Sequence, residues 1–428
     1  MKTRIPPAVC AITACLGLVL ATGPTFAHTP PTSSSKATPA AAGRATTFAF
    51  KGSGFGTRLV GGQVPGGSGT TAYQIIGCTN RSGKEKVNDV AQAALPGLGT
   101  VTDSKTRIWT TARHGVVASH ATHSIAEIVL ASSGLGSLSI NGIRSTSTAS
   151  HDRSGFHPAT STQIGSIVFT PPVGPAQSFP APTPDQPVTV PGLVTIYAGK
   201  SHTARSATGA VADAFALRID IVPTGSSIRI AHSRAELRSG LTGGIFSGHS
   251  AATHVVSAAG GVLEGGRQPL NVMPCQGTYG KAIDKRLATL DLGGQLLTSD
   301  ASTRSRAVQG AHRAHGVERA YLGHLDLGGG QLVIHDIVAK ASVTRTAHGV
   351  VRSAKGTSLG SITANGRKQT IPKTGVLEIP GVARLERAVV TRSHSGISVI
   401  GLRITLLDGT GAVIDLAEAK LRIRATGR

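Results

Sequence analysis

An all-β fold built from two tandem homologous β-sandwich-like domains is what the sequence predicts, and three observations carry that prediction. Short motifs recur in the same order in both halves of the 428-residue chain, apolar and polar residues alternate at period two, and 55 glycines leave little room for capped helices. The duplication shows first. Gly77-Cys78 aligns with Pro274-Cys275, Leu138-Ser139-Ile140 with Leu332-Val333-Ile334, and Gly165-Ser166-Ile167 with Gly360-Ser361-Ile362. Val190-Pro191-Gly192 then matches Ile379-Pro380-Gly381, and Leu217-Arg218-Ile219 matches Leu402-Arg403-Ile404. Five matches in one order, with slowly drifting offsets, place the copies at residues 47–238 and 239–428.

The strands follow from alternation. Leu217, Ile219 and Ile221 alternate with Arg218 and Asp220, and Leu402, Ile404 and Leu406 with Arg403 and Thr405, so one face is buried and the other wetted. Pro223-Thr224-Gly225 and Asp408-Gly409 interrupt these runs, after which Ile228-Arg229-Ile230 and Val413 to Leu416 return; each copy should end in a hairpin. The Ser/Thr-rich stretches Arg144 to Ser150 and Ala341 to Thr346 suit an exposed sheet face. Ala91 to Ala94 and Ala417 to Leu421 are the only short helix candidates. Prolines crowd between Pro171 and Pro187, where the second copy has only Pro372 nearby. Without amide donors that insertion should be an extended surface loop, the alternative being a docking ligand for a proline-recognising partner.

The N-terminus reads as an export signal over residues 1–27. Lys2 and Arg4 precede an apolar run from Ala8 to Ala21, and Thr25-Phe26-Ala27 offers a small-residue cleavage site. A membrane anchor is the alternative, but the run is short of the roughly 20 residues a span needs. Ile12-Thr13-Ala14-Cys15 resembles a lipoprotein box, although the apolar run continues past it. Residues 28–46, rich in Thr, Pro, Ser and Ala, read as a flexible tail. Removal of the signal takes Cys10 and Cys15 and leaves Cys78 and Cys275. In an oxidising compartment two such thiols pair, and their matching positions predict a Cys78–Cys275 disulfide between the copies, near a pseudo-two-fold axis. Two buried free thiols are the alternative.

No motif names an activity. No strand-turn-helix unit is evident to hold a nucleophile elbow, and Lys51-Gly52-Ser53-Gly54-Phe55-Gly56 lacks the third spaced glycine of a dinucleotide loop, so it reads as a turn. His120-Ala121-Thr122-His123 and His312-Arg313-Ala314-His315 share an H-x-x-H spacing. On a helix both histidines could hold a metal; on a strand they point to opposite faces. Their Ser, Thr, Arg and Ala surroundings read as solvent-exposed surface. No catalytic residue, cofactor or metal ligand is assigned. Charge is the strongest bulk signal: 43 Lys+Arg against 21 Asp+Glu give +22, or +20 once Lys2 and Arg4 are gone. Outside a cell that excess favours wall phosphates, acidic glycans and lipid head groups, the alternative being a generally basic surface with no specific partner. Aromatics at 3% supply few platforms for base or sugar stacking, which argues against specific nucleic-acid recognition.

Several of these stretches resemble a family known as choice-of-anchor P proteins, from high-GC Gram-positive bacteria. The likeness is carried by Gly77-Cys78-Thr79-Asn80, Leu95-Pro96-Gly97-Leu98-Gly99, Phe169-Thr170-Pro171-Pro172 and Met273-Pro274-Cys275-Gln276-Gly277-Thr278. Glu378-Ile379-Pro380-Gly381-Val382-Ala383 and Leu402 to Leu416 continue it. The resemblance implies an exported ectodomain whose relatives carry differing C-terminal anchors, and it brings no activity or catalytic residues. It does not extend to an anchor, since Leu421 to Arg428 shows neither a sortase-type motif nor an apolar tail. The expectation is a non-enzymatic protein of the cell surface or extracellular space, structural or binding, contacting an anionic cell-wall polymer or acidic glycan, with no transmembrane segment in the mature chain. A secreted hydrolase or metal-dependent enzyme, its site gathered from distant strands, is the alternative.

Overall fold

Residues 43–61, 70–95, 98–132, 134–222, 225–256, 265–292, 296–407, 409 and 411–427 are described by a computed structural model. The stretch read as an export signal, Cys10, Cys15, most of the stretch 28–46 read as a tail, Pro223-Thr224 and Asp408 lie outside them. Ala45 and Thr46, read from the sequence as part of a tail, belong to the first strand, and the Thr46 hydroxyl donates to the Asn80 carbonyl at 3.1 Å. The first half runs through β1 (Ala45–Gly61), β2 (Gln74–Arg81), β3 (Glu85–Leu95), β4 (Gly99–Arg113), β5 (Val116–Ser132), β6 (Gly136–Asp152) and β7 (Gly155–Gln163). It continues with β8 (Ser166–Thr170), β9 (Gln177–Phe179), β10 (Val188–Val190), β11 (Val194–Ala198), β12 (Ser201–Ser206), β13 (Gly209–Ile221) and β14 (Ser226–Arg238). The second half comprises β15 (Ile245–Val256), β16 (Gly265–Val272), β17 (Ile283–Leu292), β18 (Leu296–Gln309), β19 (Arg313–Leu327), β20 (Leu332–Thr346) and β21 (Gly349–Ser353). It ends with β22 (Ser358–Leu359), β23 (Ile362–Ala364), β24 (Arg367–Gln369), β25 (Val376–Ile379), β26 (Ala383–Ser393), β27 (Gly396–Leu406) and β28 (Val413–Arg424). Among the described residues there is no helix.

The two halves share one topology. Each has a terminal sheet, made of strands from both its ends, ordered β10-β11-β13-β14-β1-β2 in the first half and β25-β26-β27-β28-β15-β16 in the second. Each also has a central sheet, β3-β4-β5-β6-β8-β9 and β17-β18-β19-β20-β23-β24 respectively. Irregularities repeat as well. Ala231 on β14 and Ala417 on β28 are left-handed residues (φ 53 and 52°) at which the pairing with β13 and β27 skips one residue on each strand while keeping its register. Asp103 on β4 and Asp300 on β18 do the same in the central sheets. Pro191-Gly192 and Pro380-Gly381 close equivalent turns: proline supplies the first central φ, and glycine takes the positive φ (74 and 70°) that the second central position of a type II turn requires. Both terminal hairpins form as predicted, β13 with β14 and β27 with β28.

The sheets of each half face one another across an aliphatic core. In the first half Ile125, Ile128, Leu138 and Ile140 meet Leu217, Ile219, Ile228 and Ile230; in the second Leu322, Leu325, Ile334 and Ile337 meet Leu402, Ile404, Ile414 and Leu416. Few aromatics are available, so part of the interior is closed by bringing backbones together. A Cβ on Gly52, Gly54 or Gly56 would lie 2.6 Å from Ile108 Cγ2, 2.9 Å from Thr106 Cγ2 and 2.4 Å from Ser104 Oγ. The glycine-rich run is therefore a buried strand face in β1, not the turn its composition suggests. Close approach also corrects the Ser/Thr-rich stretch: Ser145 and Ser147 on β6 are fully buried, and Ser147 reaches Ser233 across the sheets at 2.9 Å. Both helix candidates are strand, Ala91 to Ala94 in β3 and Ala417 to Leu421 in β28, the latter paired along both edges. The proline-rich insertion is a largely exposed loop, though it carries the short strand β9 and buries Pro182.

Candidate functional site

The halves meet at a seam that the linker and the disulfide hold together. Gln309 Oε1 accepts hydrogen bonds from the linker amides of Thr242, Gly243 and Gly244 at 3.0, 2.9 and 3.1 Å, while its Nε2 donates to the Gln276 carbonyl at 2.7 Å. Cys78 of β2 and Cys275, in the turn after β16, are bonded with their Cα atoms 5.3 Å apart. They pack with Ala49, Leu241 and Ile245 into a small apolar cluster drawn from both halves. The end of β28 crosses to the first half, where Arg424 donates to the Cys78 carbonyl and Asn80 donates to the Thr426 carbonyl.

Beside the disulfide lies a cavity of about 500 Å³, lined from the first half by Cys78, Lys84, Glu85 and Lys86 and from the second by Ser247, Ser395, Arg422 and Arg424. Four cations thus face one carboxylate, and Glu85 is already held by Arg107 at 2.8 Å. Desolvation, and then the like charge of Arg422, pull the Arg424 pKa below its usual value. Crowded like charges of this kind are relieved by an anion.

A second cavity, of about 350 Å³, opens on the outer face of the second terminal sheet. Burial acts to raise the Glu418 pKa, but hydrogen bonds with His249 (3.0 Å) and Arg267 (2.7 Å) outweigh it and hold the group at about 2. Arg403 grips Asp415 through two bonds of 2.7 and 3.0 Å. Both acids in this cavity are satisfied, whereas Lys420 and Arg422 face it without a carboxylate partner among the described residues. Arg422 lines both cavities.

The histidine pairs do not converge. His120 and His123 lie on opposite faces of β5, and His315 on β19 bonds Thr344 at 2.8 Å while His312 stays exposed ahead of the strand. His123 corrects the surface reading, being fully buried between the sheets. Thr106 donates its hydroxyl to the Ala72 carbonyl at 2.6 Å, so it must accept from His123 Nδ1 at 2.7 Å, leaving Nε2 to face Ser104 at 3.3 Å. Burial, then His232, lowers the His123 pKa to about 3. Ser104 is buried with it, so this neighbourhood serves packing rather than nucleophilic attack. Among the described residues no group of three His, Cys, Asp or Glu side chains is placed to hold a metal, and no helix is long and apolar enough to cross a membrane.

Trp109, the single tryptophan of the chain, stacks on His120 with centroids 4.8 Å apart, and Arg107 covers it at 4.7 Å. Burial lowers the His120 pKa from 6.5. Tryptophan emission is therefore expected to fall on acidification with a midpoint below pH 6.5, and His120→Gln should abolish the step. A midpoint at or above 6.5 would contradict the stacked, desolvated ring.

No family model matches the chain, and no curated protein matches it. The seam cations escape recognition in the sequence for a local reason. Lys420, Arg422 and Arg424 alternate with Ala419, Leu421 and Ile423, which is a strand with one basic face, but the alanines just before them suggest a helix and scatter that face.

Proposed function

We propose that the protein is a non-enzymatic, exported binding protein that holds anionic envelope polymers at the seam between two copies of one domain, residues 47–238 and 239–428. The observation that carries this reading is the seam cavity, where Lys84, Lys86, Arg422 and Arg424 surround one already neutralised carboxylate. Secretion is supported by the signal-like N-terminus and by a disulfide, which persists in oxidising compartments. The resemblance to exported ectodomains points the same way. Neither cavity is lined by Phe, Tyr or Trp, which favours polymers recognised by charge over bases that stack on such rings.

The test separates this site from the bulk +22 charge. Lys84→Glu with Lys86→Glu should weaken retention on phosphocellulose and on purified cell wall about tenfold, near 0.5–1 kcal/mol per exposed cation. Lys355→Glu with Lys368→Glu, an equal charge change on exposed residues outside the cavity, should change it far less. Equal losses in the two variants, or retention indifferent to salt, would remove the site.

A further inference from the structure

Resting on the polyanion reading above, a comparison of the two halves takes the site further. Counting from the matching left-handed residues Ala231 and Ala417, the outward row Arg234, Glu236, Arg238 on β14 is equivalent to Lys420, Arg422, Arg424 on β28. The first row is neutralised within its own sheet. Arg234 bonds Asp213 at 2.6 Å and approaches Glu236 at 3.8 Å, while Arg238 bonds Glu236 at 2.9 Å. In the second row an arginine replaces the central glutamate, and none of its three cations has a carboxylate partner among the described residues. Like charges spaced two residues apart repel one another, and the neighbouring acids Asp415 and Glu418 are committed elsewhere.

The backbone also makes room for this row. A Cβ on Gly396, opposite Arg422 in β27, would lie 2.3 Å from the Leu421 carbonyl oxygen and 2.4 Å from Arg422 Cγ, so glycine lets both the β28 backbone and the arginine stem come close to β27. Ser247 and Ser398, beside Arg422 and Lys420 in the flanking strands, add hydroxyl donors to the two cavities.

We propose that the seam cavity and the second cavity form one track, in which a base-free polyol-phosphate chain lies along β28 with successive phosphates on Arg424, Arg422 and Lys420. Alternate residues of a strand are spaced roughly 6.5 Å apart, comparable to the phosphate repeat of a chain with three-carbon polyols between its phosphates. Arg422, shared by both cavities, is the joint of the track. A nucleic acid has a related backbone, but the track offers its bases no Phe, Tyr or Trp ring to stack on.

The experiment is calorimetric titration of the whole protein with glycerol phosphate and with poly(glycerol phosphate) oligomers of three and six phosphates. Affinity should rise about a hundredfold from one phosphate to three, as linked contacts reinforce each other, and little from three to six. Arg422→Glu, which installs the residue of the first half, should flatten that length dependence without lowering the thermal midpoint. A wild-type affinity independent of length overturns the track while leaving the seam as a simple anion site, and no binding of any oligomer overturns both. Equal or tighter binding of an oligothymidylate of matched charge also overturns the base-free polymer.

Discussion

Reduction of the Cys78–Cys275 bond is expected to lower the stability of the folded chain by up to about 5 kcal/mol, the chain-entropy value for a loop of this size. The bond spans 197 residues, so its loss frees a large part of the unfolded ensemble. Each half has its own core, and the apolar contact around the bond is confined to Ala49, Leu241, Ile245 and the two cysteines. Reduction should therefore do more than shift a midpoint. It should split one urea transition into two, as halves that were covalently coupled unfold independently. Cys78→Ala with Cys275→Ala should reproduce the reduced behaviour. The oxidised protein unfolded without reductant should show no thiol reactive from either position. Two reactive thiols there, or a urea curve unchanged by reduction, would show that the bond does not couple the halves.

The sequence made the repeat legible because topology and punctuation repeat together. Pro191-Gly192 and Pro380-Gly381 dictate the same turn in both halves, and Leu217 to Ile221 and Leu402 to Leu406 have the same alternation. The disulfide was legible for the same reason, since the remaining cysteines fall at matching motifs. What composition concealed was the interior. Glycine and serine in a loop-like run are polar and flexible in isolation, yet at Gly52, Gly54, Gly56, Ser145 and Ser147 small size is what lets two sheets close with few aromatic residues. The seam was concealed by distance: Lys84 and Arg424 share one cavity across most of the chain's length, and no local pattern links them.

The small interior also sets up opposing responses to pH in the two halves. Where the first half pairs Ile108 with Ala121 across β4 and β5, the second pairs Ser305 with Glu318 across β18 and β19. Glu318 is fully buried. It accepts hydrogen bonds from Ser250 and Ser305 at 2.8 and 2.6 Å on Oε2, while Oε1 has no partner, and burial raises its pKa from 4.5 to about 8. The unfolded chain releases this proton near 4.5 but the folded one holds it to about 8, so its contribution is complete below 4.5 and is lost as pH rises through 8. His123 behaves in the opposite sense. Its folded pKa of about 3 lies below 6.5, so its contribution is complete above 6.5 and is lost as pH falls through 3. Each titration changes stability by about 1.4 kcal/mol per pH unit in its window, at most about 5 kcal/mol in all. Between pH 4.5 and 6.5 the slopes cancel while the disulfide keeps the halves coupled; above 6.5 the loss belongs to Glu318, and below 4.5 to His123. Urea titrations at pH 3, 4.5, 6.5 and 8 should therefore show Glu318→Gln gaining about 2 kcal/mol on the wild type between the last two, while His123→Asn gains similarly between pH 4.5 and 3. In the reduced protein the two transitions should move in opposite directions with pH. Parallel curves for wild type and Glu318→Gln across pH 6.5–8 would mean that the buried carboxyl does not hold its proton.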